Sequence, residues 1–190
     1  MRPFDFIILF FSFIYTLALT HLLFAVTRMV RHRRMLTFSW IHALWMFGVL
    51  MLLFGNWVSL WDFHTMETMS LPVILGGFAL SIMQYFICAL VSPDFEDGET
   101  YDMRAFHERE GRTYIAAIIV LGVFALAVNY AAGASLGVES WSDQNTMVAI
   151  MLPCLLLPLF VKAHWAQLLG AIAFAANVTL FLVLYYPILR

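Results

Sequence analysis

Six stretches of this chain are apolar for about the length that crosses a bilayer, and little sequence is left between them. They cover residues 5–30, 38–62, 71–92, 113–132, 146–162 and 164–186. A spanning helix needs roughly 20 mainly apolar residues. A helix that is apolar on every face must be buried in protein or in lipid. Composition removes the first option for so many helices at once. The chain is 63% hydrophobic and 12% charged, whereas a soluble domain is about half apolar and a quarter charged. The expected fold class is therefore an all-α integral membrane protein. It is a bundle of about six transmembrane helices, and residues 1–190 form one transmembrane domain.

The fifth stretch is the shortest and contains Pro153 and Pro158. Each proline removes a backbone donor and bends the helix, which membranes tolerate when neighbours satisfy the freed carbonyls. The fifth and sixth stretches almost touch, which fits a tight hairpin or a re-entrant or tilted element. Six spans is the favoured count, with five or seven as alternatives. The first stretch is too long for a signal-peptide core, lacks an A-x-A cleavage pattern and is followed by arginines, as a membrane anchor is.

Lysine and arginine set orientation. With six spans, the loops after the first, third and fifth share one side. They hold Arg28, Arg31, Arg33, Arg34, Arg104, Arg109, Arg112 and Lys162, eight of the ten basic residues; Arg2 and Arg190 lie opposite. The expectation is a bacterial inner-membrane protein with both termini non-cytoplasmic and residues 93–112 as a cytoplasmic loop. Trp57, Trp61, Trp141, Tyr130, Tyr185 and Tyr186 fall near the outer boundary, and Trp40, Trp165, Tyr101 and Tyr114 near the inner one. Arg28, Arg31, Arg33 and Arg34 first determine topology, and each cation near an anionic lipid surface adds about 1 kcal/mol of attraction.

The loop "SPDFEDGETYDMRAFHEREGR" carries seven of the twelve acidic residues. Its spacing does not fit an EF-hand. It is expected to dock on the arginine loop, with residues 101–110 as a short surface helix. A net charge of −2 excludes a nucleic-acid partner, which needs a basic surface. Cys88 and Cys154 sit in apolar runs without ligand spacing and read as small buried hydrophobes. No G-x-S-x-G, H-E-x-x-H, H-x-x-x-H cluster or deep carboxylate pair occurs, so no catalytic set is visible. His64 and Glu67, beside Asp62, arise too easily by chance to be read as a metal site. The halves show no repeat beyond shared hydrophobicity.

Neutral polar residues remain inside the spans. Ser12, Thr16 and Thr20 form a small-polar seam at i, i+4, i+8, of the kind that packs helices closely. His42, Trp45, Val49, Leu52, Asn56 and Ser59 form one stripe, while Gln84, Gln167 and Asn177 lie deep in other spans. "LGGF" and "GAIAFAAN" read as close-packing surfaces. His21 and His42 sit at similar depth on adjacent antiparallel helices. Two histidines on two helices are what a b-type haem needs, and a structural polar contact is the simpler reading.

The run "LTHLLFAVTR", the arginine loop, "WIHALW" and "NWVSLW" together resemble uncharacterised polytopic bacterial inner-membrane proteins, over the stretch that ends near "SPD". The resemblance implies a multi-pass membrane location and brings no activity with it. Three functions then stand. The first is a non-enzymatic accessory or lipid-binding subunit without a cofactor, with membrane lipids as partners, that self-associates or docks on a larger membrane complex. The second is a redox subunit with haem b between His21 and His42. The third is a channel or facilitator for a small neutral or lipophilic solute, lined by Ser12, Thr16, Asn56, Gln84, Gln167 and Asn177. Neutral linings suit uncoupled passage.

Overall fold

The computed structural model describes residues 3–64, 69–94, 100–136 and 141–187, with residues 3, 132–136 and 141–144 described by backbone alone. Arg2, Arg190, Glu67, the loop acids Glu96, Asp97 and Glu99, and the side chain of Trp141 lie outside that description.

Six helices form among the described residues: α1 (Pro3–Arg31), α2 (Trp40–Ser59), α3 (Leu71–Val91), α4 (Met103–Leu136), α5 (Trp141–Phe160) and α6 (His164–Tyr185). A single 3-10 turn, Leu60–Phe63, extends α2. Five helices are long and apolar enough to cross a membrane, and the apolar part of α5, Asn145–Phe160, is shorter. The helices form a closed ring in the order α1, α3, α4, α5, α6, α2, with α2 leaning inward to touch α3 and α4 as well. Its inner face carries Trp45, stacked on Phe174 of α6 at 5.4 Å and tilted against Tyr114 of α4 at 5.8 Å. All three rings are fully buried. Large apolar side chains such as Phe6, Phe13, Phe86, Val120 and Val183 point outward, as a lipid-facing surface requires.

The most visible departure from expectation is α4. Residues 101–110 were expected to make a surface helix separate from a span over 113–132. Instead one helix runs unbroken from Met103 to Leu136. Asp102 starts it: Oδ1 accepts the backbone N–H groups of Arg104 at 2.8 Å and Ala105 at 3.1 Å, two of the donors that a helix start leaves open. At Gly111 the His107 ring folds back over the helix. A Cβ there would stand 3.0 Å from His107 Nδ1. At 1.5 Å per residue the 34-residue helix is about 51 Å long. That exceeds a hydrocarbon core of about 30 Å, so its first turns stand clear of the apolar layer.

The expected docking of the two loops appears as backbone pairing. β1 (Leu36–Thr37) runs parallel to β2 (Tyr101–Asp102), and Tyr101 N–H donates to Met35 O at 2.9 Å. This clamp brings the arginine loop, the end of α3 and the start of α4 to one end of the bundle, here the arginine-loop end. The opposite end carries the start of α1 and the end of α6.

Glycines set how closely the helices approach. Gly76 and Gly77 of "LGGF" face different neighbours, Val128 of α4 and Phe11 of α1. Gly170 faces Pro158 of α5 across the α5–α6 hairpin, where an added Cβ would lie 2.9 Å from the ring Cβ and Cδ and closer still to Cγ. The Ser12–Thr16–Thr20 seam does not pack helices as expected. Thr16 and Thr20 are exposed, and each hydroxyl donates at 2.7 Å to the carbonyl four residues back. Cys88 is buried as expected, but Cys154 is exposed on α5, and Tyr114 belongs to the core rather than to an interfacial belt.

A rigid proline ring cannot yield to an extra methyl, so Gly170→Ala is expected to destabilise the protein by about 1–3 kcal/mol. At Gly55 an added Cβ would meet its nearest neighbour at 3.8 Å, so Gly55→Ala is expected to be neutral or to stabilise by up to about 1 kcal/mol. Thermal unfolding of the two variants in detergent checks the contrast.

Candidate functional site

Polar side chains inside the bundle gather at its two ends. At the termini end a cavity of about 130 Å³ opens among all six helices, α5 contributing Val148. Phe11, Ile74, Val128 and Phe181 supply apolar walls, while Asn56, Ser59, Asp62 and Asn129 supply the polar part. Asn56 comes from the inward stripe of α2. Its Nδ2 donates to Gln84 Oε1 at 2.9 Å, and the fully buried Gln84 turns its own amide N–H toward Cys88 Sγ at 3.8 Å. Asn129 donates to Asn145 Oδ1 at 2.9 Å. Among the described residues, Oδ1 of both Asn56 and Asn129 accepts no hydrogen bond, leaving two amide oxygens of the lining with spare capacity. Beside them Tyr186 O–H donates to Asp62 Oδ2 at 2.6 Å, tying the end of α6 to the 3-10 turn.

The arginine-loop end holds a second cluster. Gln167 donates from Nε2 to two carbonyls at the end of α5, Pro158 O at 2.6 Å and Val161 O at 2.8 Å. Carbonyls only accept, so the amide is oriented and Oε1 must face His107, 3.1 Å from Nε2. His107 Nε2 therefore donates. In the neutral ring Nδ1 is left as an acceptor, and the Tyr114 hydroxyl donates to it. Histidine, tyrosine and glutamine thus fix one tautomer, and both ring nitrogens of His107 are committed. His42 lies next to this network without joining it. Its ring meets Phe106 edge-on at 5.1 Å and lies 6.5 Å from His107 and 6.3 Å from Tyr114. The residue is fully buried, yet neither ring nitrogen has a hydrogen-bond partner, and neither does Trp45 Nε1. Such groups cost about 1–3 kcal/mol each relative to satisfied ones. Just outside the apolar layer, burial pushes the Tyr101 phenol above its ordinary range, against the pull of the Arg109 guanidinium.

The residues singled out from sequence are dispersed. His21 meets Tyr85 of α3 edge-on at 6.2 Å, whereas His42 faces the rings of α4. Trp57 Nε1 donates weakly to Ser12 Oγ at 3.4 Å, and Asn177 donates to Met147 O at the same distance. Gln84 is fully buried and hydrogen-bonded to Asn56, and Gln167 bonds the carbonyls at the end of α5. Arg31, Arg33 and Arg34 are exposed, and Arg28 is half-buried over the Phe24 ring at 5.6 Å.

Sequence reading missed His107 and assigned Tyr114 to an interfacial belt. His107 and Tyr114 stand seven residues apart, on one face of a continuous helix, a signal lost when α4 is divided between them.

Removing the Gln167 amide leaves two helix-end carbonyls and one imidazole N–H without partners. Gln167→Leu is expected to cost about 1–3 kcal/mol. Asn177→Leu removes one long hydrogen bond and is expected to cost less than about 1 kcal/mol. Unfolding midpoints measured on both variants, side by side in one detergent, test the ranking.

Comparison with known proteins finds no matching family model, curated protein or solved structure, so function is read from these residues alone.

Proposed function

We propose that this chain is a bacterial inner-membrane protein that spans the bilayer six times, with both termini outside the cytoplasm. In this reading it is a binding or accessory subunit, not an enzyme, and holds part of a lipid or another lipophilic molecule in the cavity at its termini end. The observation that carries the reading is the cavity's chemistry. Its walls are apolar, while two amide oxygens with spare acceptor capacity belong to its lining. Pockets for small molecules are built this way, mostly apolar with a few placed polar groups that orient the guest.

Size narrows the guest. The volume of about 130 Å³ is close to that of an engineered protein cavity of about 150 Å³ that takes benzene. A ring or a short branched segment fits, and a hydroxyl or N–H on it would meet Asn56 or Asn129. The orientation is supported by the three basic loops, which converge at the end opposite the cavity. Passage of a solute straight through the bundle has less support, because Trp45, Val49 and Phe174 fill the middle.

The test fills the cavity. Full-length protein and Ile74→Trp would be purified in the same detergent, their unfolding midpoints compared, and their organic extracts quantified by mass spectrometry. The expected result is a lipophilic species near one per wild-type chain, reduced by about ten-fold in the variant, which is about 1.4 kcal/mol, with folding retained. Equal recovery from the two proteins, or nothing above a detergent blank, would overturn the proposal.

A further inference from the structure

A cleft at the arginine-loop end differs in kind from the apolar cavity. It has a volume of about 210 Å³ and lies between the first turns of α4, the end of α5 and the start of α6. Arg112 of α4 and Lys162, which follows α5, both line it. Among the described residues neither cation has a hydrogen-bond or ion-pair partner, although the loops at this end are rich in carboxylates. The one carboxylate in the cleft, Glu108, is already engaged with Arg104 at 2.9 Å.

The neutral lining does not compete for an anion. Gln167 gives both amide N–H groups to α5 carbonyls, and His107 has both ring nitrogens committed. Gly111 leaves the α4 wall without a side chain. Lys162 and Gln167 flank the first turn of α6, whose dipole adds a favourable field for negative charge. Two positive groups, one on α4 and one in the turn after α5, therefore line one polar cleft, and among the described residues nothing pairs with them.

Position selects the class of anion. The first turns of α4 stand beyond the apolar part of the helix, and α5 ends just before Lys162, so the cleft lies at headgroup depth. Charge selects it further. A guanidinium pairs with two oxygens of one phosphate in a planar fork, and an ammonium serves as a point charge for another. We propose that this cleft binds a phosphate ester, held by Arg112 and Lys162. The site is separate from the cavity at the other end and does not depend on what that cavity holds. A phospholipid headgroup and a soluble phosphate ester share this chemistry, and the experiment separates them.

Full-length protein in neutral detergent would be presented with dioleoyl phosphatidic acid, read by native mass spectrometry, and with glycerol 3-phosphate, read by titration calorimetry. Arg112→Gln and Lys162→Gln would be compared with wild type. Arg34→Gln, which removes an exposed cation from the arginine loop, serves as the charge control, and unfolding midpoints confirm that all four proteins are folded. The expected result is binding that falls about ten-fold in each cleft variant, stays within about two-fold in Arg34→Gln, and weakens with added salt, since exposed charges are screened. Binding of the lipid alone assigns a headgroup, and binding of glycerol 3-phosphate as well assigns a soluble ester. If neither probe binds, if the cleft variants bind like wild type, or if Arg34→Gln loses as much as they do, the proposal is overturned.

Discussion

The side-chain amide of Gln167 joins three helices at the arginine-loop end. The last carbonyls of any helix lack intrahelical partners, and next to an apolar layer water is a poor substitute. Gln167 of α6 spends both donors on the end of α5 and its acceptor on His107 of α4. That one group permits a hairpin turn as short as the one between Phe160 and His164. It also fixes the His107 ring, which takes the Tyr114 hydroxyl and folds over Gly111. The polar cleft beside them has the shape it has because this network spends its own hydrogen-bonding capacity internally.

Away from the ends, close approach does the work that polar groups cannot. Lipid tails are as apolar as leucine, so helices gain little by hiding hydrophobic surface from them and hold together by packing. Gly48 lets the Phe174 ring reach the α2 backbone, with an added Cβ falling 2.5 Å from Cδ1, and Gly122 meets Leu152 in the same way at 2.9 Å. Trp45, stacked on Phe174, then fills the centre. His42 and Trp45 Nε1 are buried polar groups in this packing that lack a hydrogen-bond partner among the described residues, at a cost of about 1–3 kcal/mol each.

Much of the fold was legible because the apolar runs report directly on helix position. α2, α3 and α6 lie within a few residues of the stretches read from the sequence. α4 was not, since the polar residues of its first turns read as a separate surface helix, whereas Asp102 starts one continuous helix that carries them into the apolar run. The candidate residues divide the same way. Asn56 and Gln84 stood out as polar groups in apolar runs, and they meet. His21 and His42 stood out equally and diverge. Sequence reports depth along a helix well, but which neighbour a face meets depends on the order of helices in the ring. Here α3 comes between α1 and α4, so His21 meets α3, while the inward lean of α2 carries His42 to α4. Neither fact has a local signal.

α4, α5 and α6 each take part in both candidate sites, and α4 contributes most to the cleft. Asn129 and Val128 line the cavity at one end, and Arg112 and His107 line the cleft at the other. The 17 residues from Arg112 to Asn129 place them about 25 Å apart along the helix. Between them α4 is wedged, with Gly122 against Leu152 of α5 and Val128 against Gly76 of α3. Packed interfaces of this kind shift as rigid units instead of bending continuously. Between the two sites the bundle is filled by packed side chains, with Trp45, Val49 and Phe174 fully buried at its centre.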